Sequence, residues 1–249
     1  MSKSFKLFIL AFALVFSFSS SVSAKKKRIL VFSKTAGFHH SSIDEGIAAI
    51  QKLGLENNFD VDTTKNSELI TPANLKKYAA VVFLNTTGDI FNDAQQKAFE
   101  DYIHAGGGYA GIHAASDTEY DWPWYGKLTG AYFVSHPAQQ VAELRVLNNR
   151  TIATSHLPEI WKRKDEWYNY KDIQNGIRVL INLDEKSYKG GINGSTHPIA
   201  WYRDFEGGRS FYTGLGHVEE SYTDPLFLKH ILGGIQYAMG VKKMEKKLK

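Results

Sequence analysis

The 249-residue chain contains no cysteine, and that absence removes several functions at once. Disulfide staples, a thiol nucleophile and a lipid-acceptor cysteine behind a leader are all excluded. A fold without staples rests on its core, and 43% apolar residues in a chain this long can supply one. An interior stripe of basic residues is also missing, so nothing supports nucleic-acid binding. The excess positive charge gathers at residues 25–28 and 242–249, where such runs solvate a terminus. The apolar run over residues 7–18 falls short of the ~20 residues that a membrane-spanning helix needs.

That run follows Lys3 and Lys6 and precedes Val22-Ser23-Ala24, a small-residue cleavage site. It reads as an export signal over residues 1–24, removed after Ala24. The expectation is an exported, soluble protein, periplasmic or secreted, with no stable membrane anchor. Loss of the two signal lysines lowers the formal charge from +4 to +2. Residues 25–249 read as a single domain without repeat, linker or low-complexity stretch.

The first half alternates strands and helices. Residues 28–33, 59–63, 78–84 and 109–112 are predicted strands, of which 28–33 and 78–84 are apolar runs of the kind that is buried. Helices are expected between them. One opens on a capping box, Ser42-x-x-Glu45, another on Thr71-Pro72, a third on Asn92, ending at Gly106-Gly107-Gly108. This pattern indicates an α/β fold with an open, mainly parallel sheet and helices on both faces. The second half is strand-rich, with candidates at 141–147, 166–170, 177–183, 197–203 and 209–213, read as additional antiparallel strands. A last helix starts at Asp224-Pro225 and runs through Tyr237.

Ligands of such sheets bind outside the carboxyl ends of the strands. Three strand ends run into His40, His113 and His217, beside glycines that permit close backbone approach. Imidazoles at convergent ends suit a divalent ion such as zinc, metal-free acid–base work, or a hydrogen-bond network that orders loops. No local histidine pair with metal-ligand spacing selects among these. Asp165 and Glu166 form a second constellation. Adjacent residues on a strand point to opposite faces, so only one carboxylate can enter the cleft. Tyr120, Trp122, Trp124 and Tyr125 share one short loop with Asp117, Glu119 and Asp121. Flat rings interleaved with carboxylates suit a sugar, although aromatics also fill cores.

Residues 108–125 (GYAGIHAASDTEYDWPWY) resemble the central motif of ThuA-like (trehalose-utilisation) domains. Ser135-His136-Pro137, Asp165-Glu-Trp-Tyr168, Leu183-Asp-Glu185, His197-Pro-Ile-Ala-Trp201 and Phe211-Tyr-Thr-Gly-Leu-Gly-His217 follow in the same order. The likeness spans residues 29–238. It implies a flavodoxin-like sheet similar to class I glutamine amidotransferases. Those enzymes carry a cysteine on the turn where this chain has His113, so amidotransfer is not implied. The family often shows Phe-Arg-His after the first strand. Here Phe38-His39-His40 stands in its place, with His40 aligned to the motif histidine.

The resemblance implies a small-molecule sugar as partner, namely 3-keto-glycosides or related keto-sugars, processed by metal- or His-assisted lyase or hydrolase chemistry. His40, His113 and His217 would hold an ion or polarise the ketone, with His113 catalytic, and Glu166 or Asp165 would remove a proton. Candidate substrate-binding residues are Asp117, Glu119, Trp122, Tyr125, His136, Tyr168, His197 and Trp201. The alternative is a non-catalytic carbohydrate-binding protein using the same cleft.

Overall fold

Continuous apolar runs build the centre of the sheet. In the computed structural model, which describes residues 26–245, β1 (Lys27–Phe32), β3 (Ala80–Leu84) and β4 (Gly108–Ile112) lie side by side with nearly every residue buried. The expected export signal at residues 1–24 and the end of the C-terminal lysine run lie outside the described residues. Among the described residues, no helix is long and apolar enough to cross a membrane.

The nine-stranded sheet has the order β2 (Phe59–Thr64), β1, β3, β4, β11 (Gly208–Thr213), β10 (His197–Phe205), β9 (Arg178–Leu183), β6 (Gln140–Val146), β7 (Ile160–Asp165). β2, β1, β3, β4 and β11 pair in parallel. β10, β9, β6 and β7 extend it antiparallel. A separate two-stranded ribbon joins β5 (Tyr132–Ser135) to β8 (Asn169–Lys171). The chain is thus an α/β protein with a mainly parallel centre and additional antiparallel strands.

Helices cover both faces. α1 (Ile43–Glu56) and α5 (Pro225–Ala238) touch each other on one side. On the other, Phe83 packs against Phe99 of α3 (Asp93–His104) and Tyr125 of α4 (Pro123–Thr129). Local signals set the helix starts. Asn92 and Gln95 form a reciprocal capping box at α3, Thr71 caps α2 (Pro72–Leu75), and Asp224 caps α5.

Three sequence expectations require correction. Ser42 precedes α1 but does not cap it. Its hydroxyl donates instead to the Gly216 carbonyl and accepts from Asn85, binding the helix start to the loop after β11. The expected strand at 166–170 is displaced, because the long strand is β7 and only residues 169–171 pair again. Within β7, alternation turns Trp161, Arg163 and Asp165 inward, and two charged inward residues hide the apolar pattern of a strand. The aromatic stretch at 120–125 is not one loop, since α4 begins at Pro123.

Candidate functional site

The loops after β1, β4 and β11 meet at the carboxyl edge of the sheet, and the residue following β7 joins them. His40 sits two residues before Ser42, with its ring buried. His113 is the first residue past β4 and adopts φ +50°. That left-handed conformation costs a non-glycine residue ~1–2 kcal/mol. Tyr212 Oη donates to its carbonyl at 2.7 Å, and Nδ1–H of its ring donates to the Gly214 carbonyl at 2.9 Å. His113 Nε2 is therefore left with its lone pair facing the centre. His217 follows Gly216, whose φ of +110° suits glycine and whose carbonyl accepts from Tyr222 Oη.

One nitrogen each from His40, His113 and His217 and one carboxylate oxygen of Glu166 all lie within 4.8 Å of one another. His113 Nε2 and His217 Nδ1 stand 3.1 Å apart, and Glu166 Oε2 is 3.1 Å from His217 Nδ1 and 3.5 Å from His113 Nε2. Four ligands on a tetrahedral zinc at 2.0–2.1 Å would be separated by about 3.3 Å. His40 Nδ1 is buried without a hydrogen-bond partner, and such an orphan needs explaining. Three imidazoles plus a carboxylate form a donor set suited to zinc and similar ions. This buried His/Glu group could hold a metal.

Electrostatics agree with a group built to share positive charge. Burial, reinforced by His113 and His217, pushes the His40 ring down to about 2, so it stays neutral and able to ligate. Burial alone would raise Glu166, but hydrogen bonds and charge from His113 and His217 outweigh it and hold the carboxyl well below its usual range. Asp117, by contrast, is raised by burial and only partly compensated by a 2.6 Å hydrogen bond from Tyr120 Oη.

Asp165 does not enter the centre. Its carboxylate is fully buried and accepts backbone N–H groups of Glu166 (3.0 Å), Gly216 (3.1 Å) and His217 (3.0 Å). Arg163, sandwiched between the Trp161 and Phe227 rings, neutralises it at 3.3 Å and reaches Ser221 and Asp224. Asp165 thus clamps the His217 turn beside Glu166, and its proposed role as a base is withdrawn because every lone-pair direction is occupied.

The other candidates divide. His136 Nδ1 lies 3.1 Å from Glu166 Oε1, and its ring stacks with Phe133 and Tyr168. Tyr168 packs 4.2 Å from the His113 ring. Asp117 is close enough to feel the charge of His113 and His136. Glu119, expected to bind substrate, instead accepts from the Ile90 and Phe91 backbone and Gln96, bracing the start of α3. Trp122, Tyr125 and Trp201 are core residues: Trp122 bonds Glu100, Tyr125 bonds the Ala115 carbonyl, and Trp201 bonds the Thr129 carbonyl. His197 stands behind the site, with Nε2 against the Tyr168 carbonyl and Nδ1 against Glu185. Phe133 of the rim was missed by the sequence reading, although the alternation of β5 marks it as a half-buried face residue.

The sequence profile of the family described as ThuA, trehalose utilisation, matches residues 28–238. No curated protein matches the chain. Among solved structures, a ThuA-like protein from Bacteroides uniformis ATCC 8492 is 22% identical, with 90% of this chain and 96% of that one aligned at a TM-score of 0.73. One from Parabacteroides merdae ATCC 43184 is 20% identical, covering 90% and 93% at 0.74. A beta-galactosidase from Bacillus circulans sp. alkalophilus aligns 31% of its chain with 87% of this one, at 14% identity and a TM-score of 0.58. These likenesses concern the fold.

Proposed function

Since the chain belongs to the ThuA family, associated with trehalose and carbohydrate utilisation, we propose that it is an exported, metal-assisted lyase or hydrolase acting on keto-sugars such as 3-keto-glycosides. The observation that carries this reading is the convergence of His40, His113, His217 and Glu166 within 4.8 Å, beside an aromatic rim. A divalent ion held by these four would supply a Lewis acid, which stabilises negative charge developing on a carbonyl oxygen.

The chain's own groups account for the proton. A carboxylate held as strongly ionised as Glu166 is a poor base but a good ligand and orienter. Its Oε1 faces His136 Nδ1, and His136 is half-exposed at the rim. With Nδ1–H donated to the Pro137 carbonyl at 3.0 Å, His136 presents Nε2 to a substrate. A ketone at C3 acidifies the C2 proton, which His136 accepts while the C–H pair forms an enolate. Return of that pair breaks the bond from C1 to its substituent, leaves a C1–C2 double bond conjugated with the ketone, and the departing oxygen recovers the proton. Phe133 walls the sugar ring with the buried Tyr168 packed behind it, and Asp117 offers a hydroxyl partner.

The test pairs metal analysis of purified protein with incubation on a 3-keto-glucoside. One equivalent of zinc or a similar ion, together with eliminated aglycone that disappears in His113→Ala, is the expected result. Sugar binding without product in the metal-loaded protein would assign a carbohydrate-binding role instead.

A further inference from the structure

Phe38 is 66% exposed, yet it is held rather than loose. Ala36 N–H donates to the Thr87 carbonyl at 2.7 Å, Gly37 N–H donates to Thr87 Oγ1 at 3.2 Å, and Thr87 Oγ1–H donates to the Phe38 carbonyl at 2.9 Å. Three bonds to one residue after β3 fix the loop carrying the ring. The Phe38 ring meets the His40 ring edge-on, with centroids 4.9 Å apart at 82°. His40 in turn lies 5.1 Å from the His217 ring. Phe38 is therefore one ring removed from the centre, and most of its surface has no partner among the described residues.

An exposed phenyl gives up roughly 1.5–3 kcal/mol that burial would return. A ring pinned in that state beside a reactive centre has the form of a preorganised contact surface, because its ordering entropy is already spent. The class of ligand follows from its surroundings. A flat apolar face at the rim, with carboxylate and imidazole groups (Asp117, Glu166, His136) at the same site, suits a molecule with one C–H face and an edge of hydroxyls. On that basis, which rests on the sugar reading above, we propose that Phe38 is the stacking platform of a pyranose subsite. The platform is distinct from the buried aromatics at 122 and 125, which the core occupies.

The test compares the wild type with Phe38→Ala and Phe38→Trp as purified full chains, using methyl 3-keto-α-glucopyranoside and trehalose as probes. Binding is read by calorimetry, and in Phe38→Trp also by indole emission minus the wild-type background. Stacking predicts about tenfold weaker binding in Phe38→Ala, retained binding in Phe38→Trp, and a sugar-dependent emission shift from the new indole. Zinc stoichiometry should be equal in all three. Equal affinity in all three, with no emission shift, overturns the platform while leaving the sugar reading intact. Absence of binding of either sugar to the metal-loaded wild type overturns both.

Discussion

Replacing Asp165 with asparagine should be expensive although the residue never touches the proposed ligand. The wild-type carboxylate accepts three backbone N–H groups and faces Arg163, whose side chain is 8% exposed. Asparagine keeps one oxygen for Glu166 and His217 but turns an NH2 toward the Gly216 N–H, so two donors face each other. Arg163 is left with Asp224 at 3.4 Å as its remaining carboxylate. Breaking a buried pair of this kind costs about 3–5 kcal/mol. For a domain of this size that corresponds to a fall in melting temperature of roughly 6–20 °C. The matched control is Glu143→Gln, which breaks the exposed Lys162–Glu143 pair on the neighbouring strand and should cost under about 1 kcal/mol. Urea unfolding reads the stability, and zinc titration reads the site, because the Gly216 turn that positions His217 loses its backbone anchor. A loss in Asp165→Asn no larger than in the control, with zinc affinity unchanged, would refute the clamp.

Other outcomes follow from the same geometry. At position 113 the φ of +50° favours glycine, so His113→Gly should be about 1 kcal/mol more stable than His113→Ala, and the reverse order in chemical denaturation would show that the backbone relaxes. His230 is wholly buried, with Nδ1–H donated to the Ala153 carbonyl, and burial, aided by His156 and Arg163, pushes it from 6.5 down to about 3. Its folded form resists protonation, so above pH 6.5 it is neutral in both states. As pH falls from 6.5 toward 3 the unfolded chain takes the proton and stability drops, by about 5 kcal/mol in total. The slope of stability against pH in this window should flatten by one proton in His230→Gln; identical slopes would contradict this. Gly130 closes α4 at φ +100°, and a Cβ there would stand 2.4 Å from Trp201 Nε1. Gly130→Ala should therefore lose more than about 2 kcal/mol, measured by thermal melting, and a neutral result would mean that the indole can move without breaking its bond to Thr129.

The parallel half of the fold was legible because strands buried on both faces write themselves as apolar runs, as in residues 80–84. The antiparallel half was less so. β7 carries Arg163 and Asp165 inward, and only the finished structure shows that each is the other's solvent. The three histidines could be placed at strand ends by counting elements, whereas choosing Glu166 over Asp165 required the register of β7, which periodicity alone does not fix. Glu119, Trp122 and Tyr125 misled for a related reason. Carboxylate and indole side chains look alike in sequence whether they meet a sugar or brace a helix, and the start of α4 at Pro123 turns this set toward the core. The pairing of Ser42 with Gly216, in place of a helix cap, likewise depends on a partner 174 positions away.

The division of labour between the neighbours 165 and 166 ties the centre to strand parity. A single residue inserted within β7 would carry the locking carboxylate into the cavity and bury the liganding one against Arg163. Natural length variation should therefore collect in the connection preceding Ile160, where it leaves odd and even positions unexchanged.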